Sequence, residues 1–242
     1  MRESLSGRIW AGAGIALAAL AAVLALGVLP TPSTALHDPT RDLIPSPAPK
    51  PSKPVGEVLF ADDFSDGRLD RWSPSRPDAW TVRKGMLRAD LPNKKQEYGF
   101  LYAGSIEWTD IALEVDVCGI RGVDKGLAVR IEEDNGIGVD LRGPGYHDVL
   151  LHRGHWPLGK ARVVNANGVW HRIRVEAIGH RYRVFVNGEL LLDKVDGRDS
   201  RPRGRIALAA YTGGVGECTM WYDNVRVEAL SSAATSAEVR RP

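Results

Sequence analysis

The chain has 242 residues, 43% of them apolar, and a formal net charge of +2. Once a leader and a tail are set aside, that length holds one domain with an ample core, and the apolar fraction is ordinary for a globular protein. The balanced charge, without a basic run or aromatic–basic interleaving, argues against a nucleic-acid partner.

Arg2 and Arg8 precede an uncharged run, rich in Ala and Leu, from Ile9 to Leu29. About 20 residues rising ~1.5 Å each are long enough to cross a hydrocarbon core of ~30 Å. Residues 1–30 therefore read as a signal anchor with both arginines inside. The alternative is a cleaved signal peptide with small residues at Ser33 and Ala35. The run is long for a signal-peptide core, which favours the anchor. Either reading exports the rest, as a single-pass protein at the cell membrane or as a secreted one. Residues 31–56 follow as a linker. Pro45, Pro47, Pro49, Pro51 and Pro54 restrict φ and remove donors, which predicts an extended spacer.

Residues 57–230 show the period of strands. Trp170 to Gly179 alternates polar with apolar residues, and so does Arg181 to Val186. Asn187-Gly188 then supplies a tight reversal whose two centres need positive φ. Lys84-Gly85, Asp134-Asn135-Gly136 and Gly179-His180 mark further turns. Strands are predicted at about 57–64, 79–83, 86–91, 98–103, 110–118, 126–132, 137–142, 147–153, 170–178, 181–187, 189–193, 204–211 and 218–229. No helical period survives outside the leader, so the class is all-β, a two-sheet antiparallel sandwich or jelly roll. Residues 231–242 are small and polar and read as a disordered tail. Cys118 and Cys218 are the only cysteines. In an exported domain they predict a disulfide, with two separately buried thiols as the alternative.

Parity sorts the faces. Leu127, Val129 and Ile131 point to the core, as do Ile137, Val139, Leu141, Val149, Leu151, Ile206, Leu208 and Ala210. The opposite face then carries Arg130, Asp140, Arg142, His152 and Tyr211, with Trp156 in the adjoining loop. A solvated sheet face with cross-strand Arg–Asp pairs is the plainer reading of the same set.

Several motifs carry a resemblance: the opening Phe60-Ala61-Asp62-Asp63-Phe64 with Trp72, then Asn187-Gly188, Gly204 to Leu208, and Tyr222-Asp223-Asn224-Val225-Arg226-Val227. Together they resemble the concanavalin A-like lectin/glucanase superfamily, near laminin G-like domains and non-catalytic relatives of glycoside hydrolase family sixteen. The resemblance spans 57–230. It implies a concave sheet that seats carbohydrate on Arg130, Asp140, Arg142, His152, Trp156 and Tyr211. The two arginines would suit a uronate or sulfate. It also implies a structural Ca²⁺ held by Asp223 with Asp63 and Gly85 from early turns.

Glu114-Val115-Asp116 is similar to the Glu-x-Asp core of family sixteen hydrolases. The family's second Glu would fall at Gly119 or Ile120, which lack a carboxylate, so no catalytic residue is assigned. No nucleophile elbow surrounds Ser73 or Ser105, and no His-x-x-x-His pattern supports zinc. The expectation is an exported, membrane-tethered module that binds a glycan or another surface ligand without catalysis. One alternative is a glycoside hydrolase or lyase built around Glu132, Asp140 or Asp148. Another is a protein–protein module of laminin G-like type. A close pair of buried carboxylates would favour the enzyme, a deep aromatic groove the glycan binder.

Overall fold

A computed structural model of the chain describes residues 39–133, 135–198 and 202–230. The predicted leader and tail lie outside them. No helix of the described residues is long and apolar enough to cross a membrane.

Among the described residues, fifteen strands form two antiparallel sheets. They are β1 (Val58–Asp62), β2 (Ser73–Pro74), β3 (Trp80–Arg83), β4 (Met86–Leu91), β5 (Tyr98–Ala103), β6 (Ile111–Arg121), β7 (Asp124–Glu132) and β8 (Asn135–Arg142). Then follow β9 (Asp148–Arg153), β10 (Trp156–Arg162), β11 (Trp170–Ile178), β12 (Arg181–Val186), β13 (Glu189–Val195), β14 (Arg205–Tyr211) and β15 (Cys218–Ala229). The eight-stranded sheet runs β13-β12-β11-β6-β15-β4-β3, with β1 also on β15. The seven-stranded sheet runs β10-β9-β8-β7-β14-β5-β2.

The turns form as their residues dictate. Lys84 and Gly85 take φ of 55° and 71°, Asn187 and Gly188 of 52° and 86°. These are the positive values that a two-residue hairpin turn requires. Between the sheets lies one core, to which Val115, Val117, Val139, Leu141, Val149, Leu151, Leu208 and Val227 contribute fully buried side chains.

The proline-rich segment has no strand or helix of its own from residue 43 onward, and it does not stand free. An extended chain has no internal hydrogen bonds, so its carbonyls need outside donors. The outer face of the eight-stranded sheet supplies them. Trp170 Nε1 donates to the Ser46 carbonyl at 2.7 Å, Asn224 Nδ2 to Pro49 at 2.9 Å, and Arg226 to Ser52 at 2.6 Å. Arg172 donates to the Lys50 carbonyl at 2.8 Å while gripping Asp116 at 2.7 and 2.8 Å. Residues 46–55 thus form a strap rather than a spacer.

The cysteines are free and both buried. Cys118 pairs in register with Trp221, three residues along β15 from Cys218, or about 10 Å at ~3.3 Å per residue. Cys118 packs with Met86, Ile120 and Trp221, whereas Cys218 belongs to the central core. They therefore sit on opposite faces of one sheet, where a disulfide's short Cα separation and converging Cβ vectors cannot be met. The predicted bridge gives way to two separate thiols. Burial pushes the Cys118 thiol up to about 11 and the Cys218 thiol up to about 12, so both stay protonated.

Candidate functional site

The outer face of the seven-stranded sheet is organised in three rows by strand register. The first row is Tyr98, Tyr211, Asp124, Arg142, Asp148 and Arg162, read from β5 to β10. The second is Phe100, Ala209, Gly126, Asp140, Leu150 and Lys160. The third is Tyr102, Ala207, Ala128, Gly138, His152 and Pro157. The first row is tall throughout. The second and third drop to alanine and glycine on β14 and β7, and Gly138 continues the low ground onto β8. The result is a groove of about 790 Å³, within the range of ligand-binding clefts.

One side of the groove is aromatic. Tyr98 and Tyr211 pair directly across β5 and β14, with ring centroids 4.2 Å apart and planes 11° apart. Rings that stack on paired residues stand upright from the sheet. Phe100 runs nearly parallel to Tyr98, at 6.2 Å and 7°, and Tyr102 follows at 5.9 Å and 21°. The strand therefore carries a wall of nearly parallel rings. Opposite Phe100 on β14 stands only the methyl of Ala209.

The other side is polar. His152 Nε2 lies 3.0 Å from Asp140 Oδ2, and Nδ1 donates to the Gly154 carbonyl at 2.9 Å. Burial pulls the imidazole down, but Asp140, the Gly154 carbonyl and Asp124 outweigh it and hold it above its usual range. A Cβ on Gly138 would overlap His152 Nε2, and one on Gly126 would stand 2.5 Å from Asp140 Oδ1. These glycines let the pair lie low over neighbouring strands. Arg142 grips Asp148 with two bonds of 2.7 Å, its guanidinium 4.4 Å from the Tyr146 ring centroid. Asp124 is the outlier. Burial, then the charge of Asp140, pushes its carboxyl up to about 7, and its Oδ1 has no hydrogen-bond partner.

Of the residues singled out in the sequence, Asp140, Arg142, His152 and Tyr211 line this groove together. Arg130 does not. It takes a φ of 56° at a register shift in β7, which turns its side chain through to the other face. There it is fully buried, bonded to the Gly179 carbonyl and 3.2 Å from Asp110, with its guanidinium 5.5 Å from the Tyr182 ring centroid. Ile131, predicted for the core, swaps sides with it and packs with Ala128 and Ala207. Trp156 opens β10, paired with Arg153 and so out of phase with His152. It is 61% exposed, beneath Arg198. With Arg130 absent and Arg142 held by Asp148, the expected two-arginine clamp for an acidic sugar is not assembled. Sequence reading missed Asp124, Tyr98, Phe100 and Lys160. The parity of Gly126 and Ala128, run back two residues, points to Asp124.

Glu114 and Asp116 lie on the opposite sheet, under the strap, bonded to Arg226 and Arg172. Their role is structural. Around the predicted calcium residues, burial, opposed by a bond from the Asn224 N–H and aided by the charges of Asp116, Asp63 and Asp62, pushes Asp223 up to about 6. Asp63 turns to accept from Ser65 N and Oγ, and Gly85 lies against Ser65. Among the described residues no three His, Cys, Asp or Glu side chains are grouped to hold a metal. Side chains alone thus fit Ca²⁺ poorly, and backbone carbonyls would have to supply most of its six to eight oxygens.

The description of the 3-keto-alpha-glucoside-1,2-lyase-like domain matches residues 58–228. The chain belongs to that family. Its fold is that of the concanavalin A-like lectins and glucanases. Similar solved structures include the carbohydrate-binding module CBM66 of Bacillus subtilis, 15% identical, with a TM-score of 0.56 over 66% of this chain and 96% of the module. The Crh5 transglycosylase in complex with NAG is also 15% identical, with a TM-score of 0.57 over 75% of this chain and 89% of that one. The lumenal domain of VIP36, bound to Ca²⁺ and Man3GlcNAc, is 11% identical, with a TM-score of 0.57 over 76% and 95%. At these identities the likeness is one of fold. The comparison with curated proteins returned no match.

Proposed function

We propose that the groove on the seven-stranded sheet binds a glycan, and that the N-terminal run tethers this domain outside the cell. The observation that carries the glycan reading is the combination in one groove of an upright aromatic wall, a low floor and directed polar groups. A sugar ring offers an apolar face for Phe100 and hydroxyls for Asp140, His152 and Arg142. The fold neighbours named for carbohydrate binding support it. The groove's carboxylates, and the loss of the two-arginine clamp, favour a neutral glycan over a uronate or sulfate. The full-length protein on a glycan array should retain neutral oligosaccharides. An array on which nothing is retained would refute the reading.

A second reading, elimination from a 3-keto glycoside, is favoured by Asp124 and by the family's description. A carboxyl pushed up to about 7 stands beside a second carboxylate, Asp140, as a pair that could share acid and base roles. In such a step Asp140 takes the proton at C2, next to the ketone. The C1–oxygen bond breaks as the C1–C2 double bond forms, and Asp124 protonates the departing oxygen. His152, whose pKa is raised by Asp140, would steady the charge on the ketone oxygen. Incubation with a 3-keto-α-glucoside should release free aglycone and an ultraviolet-absorbing enone. An Asp124→Asn protein that releases both at the wild-type rate would rule out this chemistry.

A further inference from the structure

We propose a second sugar subsite beyond the Asp140–His152 pair, over Leu150, Pro157 and Lys160, so that the groove takes two or more linked sugars astride that pair. The inference rests on the glycan reading above and adds the ligand's length and direction. The second row of the sheet runs in unbroken register from Phe100 on β5 to Lys160 on β10. That crosses five inter-strand gaps, about 24 Å at ~4.8 Å per gap. The trough of alanine and glycine between Phe100 and Asp140 accounts for only three of those gaps, ~14 Å. One sugar ring stacked on Phe100 occupies it.

The groove does not stop at Asp140. It continues over Leu150 and along Pro157 to Lys160 on the edge strand, a further ~10 Å. That extension has its own recognition chemistry. Leu150 and Pro157 offer an apolar floor, and Lys160 is an exposed ammonium with three donors for hydroxyl or ring oxygens. His155 borders the same stretch. A glycan laid across the strands places one unit on each side of Asp140–His152 and the oxygen that links them above the pair. The acidic and cationic groups thus meet the linkage rather than a chain end.

The test is calorimetric titration of the full-length protein, in mild detergent, with malto-, laminari-, cello- and chito-oligosaccharides of one to four units. In the series that binds, affinity should rise at least tenfold from one unit to two or three. Lys160→Ala should erase most of that gain, about tenfold or more, the effect of losing one hydrogen bond to a charged group, and should leave the single sugar's affinity unchanged. Lys160→Arg should retain the gain. Equal affinity for one unit and for longer chains would overturn the second subsite and leave glycan binding standing. So would a Lys160→Ala protein that loses affinity equally for every length. No binding in any series would remove the glycan reading and this inference with it.

Discussion

Asp124 is a carboxyl group for which burial and the charge of Asp140 outweigh the attraction of Arg142 and His152. Its environment raises its pKa to about 7, against a starting value of 3.8. The sign follows from linkage. Between those two values the folded protein keeps a proton that the unfolded chain has lost, so this group's contribution to stability falls as pH rises from about 4 to 7. Asp124→Asn should therefore stabilise the domain above pH 7, by roughly 1–3 kcal/mol, and flatten this part of the profile. Thermal melts at pH 4 to 8 on both proteins measure it. A variant less stable than wild type at pH 8 would mean that the attraction of Arg142 and His152 outweighs the burial of the ionised carboxylate. Asp223 allows a parallel test. Its pKa is raised first by burial, and the charges of Asp116, Asp63 and Asp62 add a negative field that a bound cation would relieve. If calcium binds there, a hundredfold excess over its Kd stabilises the fold by about 2.7 kcal/mol. Chelator should then lower the Tm, and Asp223→Asn should remove the difference. Melting that ignores both calcium and chelator would show that the site takes no ion.

At the scale of elements, alternation was a sound guide wherever a strand stays regular. On β8, β9 and β14 it put Asp140, Arg142, His152 and Tyr211 on one face, and the structure places them in one groove. It failed on β7 because the register shift at Arg130 falls on a residue with no turn signal. Neither Gly nor Asn marks the positive φ there. β10 escaped notice for a different reason. Pro157 and Gly159 interrupt its pattern, as an edge strand tolerates and a central one does not. The calcium and disulfide expectations depended on side-chain directions that spacing does not report. The strap's docking was not legible, because its partners lie more than a hundred residues away in sequence. Removing residues 39–55 would uncover Asp116, Glu114 and Glu228 and leave Arg172 and Arg226 short of acceptors. A cost of about 2–4 kcal/mol is expected, a fall in Tm of roughly 5–15 °C. An unchanged Tm would make the strap a passive spacer after all.

For the molecule as a whole, the two outer faces have separate tasks. The eight-stranded sheet is covered by the strap over a lattice of arginines and carboxylates. The seven-stranded sheet keeps an open groove with polar groups set against an aromatic wall. The most direct test of this division is to fill the groove. Ala209 sits partly exposed on the groove floor opposite Phe100, so Ala209→Trp places an indole in the trough without entering the core. Leu190→Trp, on the exposed β12–β13 hairpin of the other sheet, is the control. Calorimetry with a glycan retained on the array should show binding lost in Ala209→Trp and intact in Leu190→Trp, with both proteins melting near wild type. Full-strength binding by Ala209→Trp would contradict the assignment of the groove.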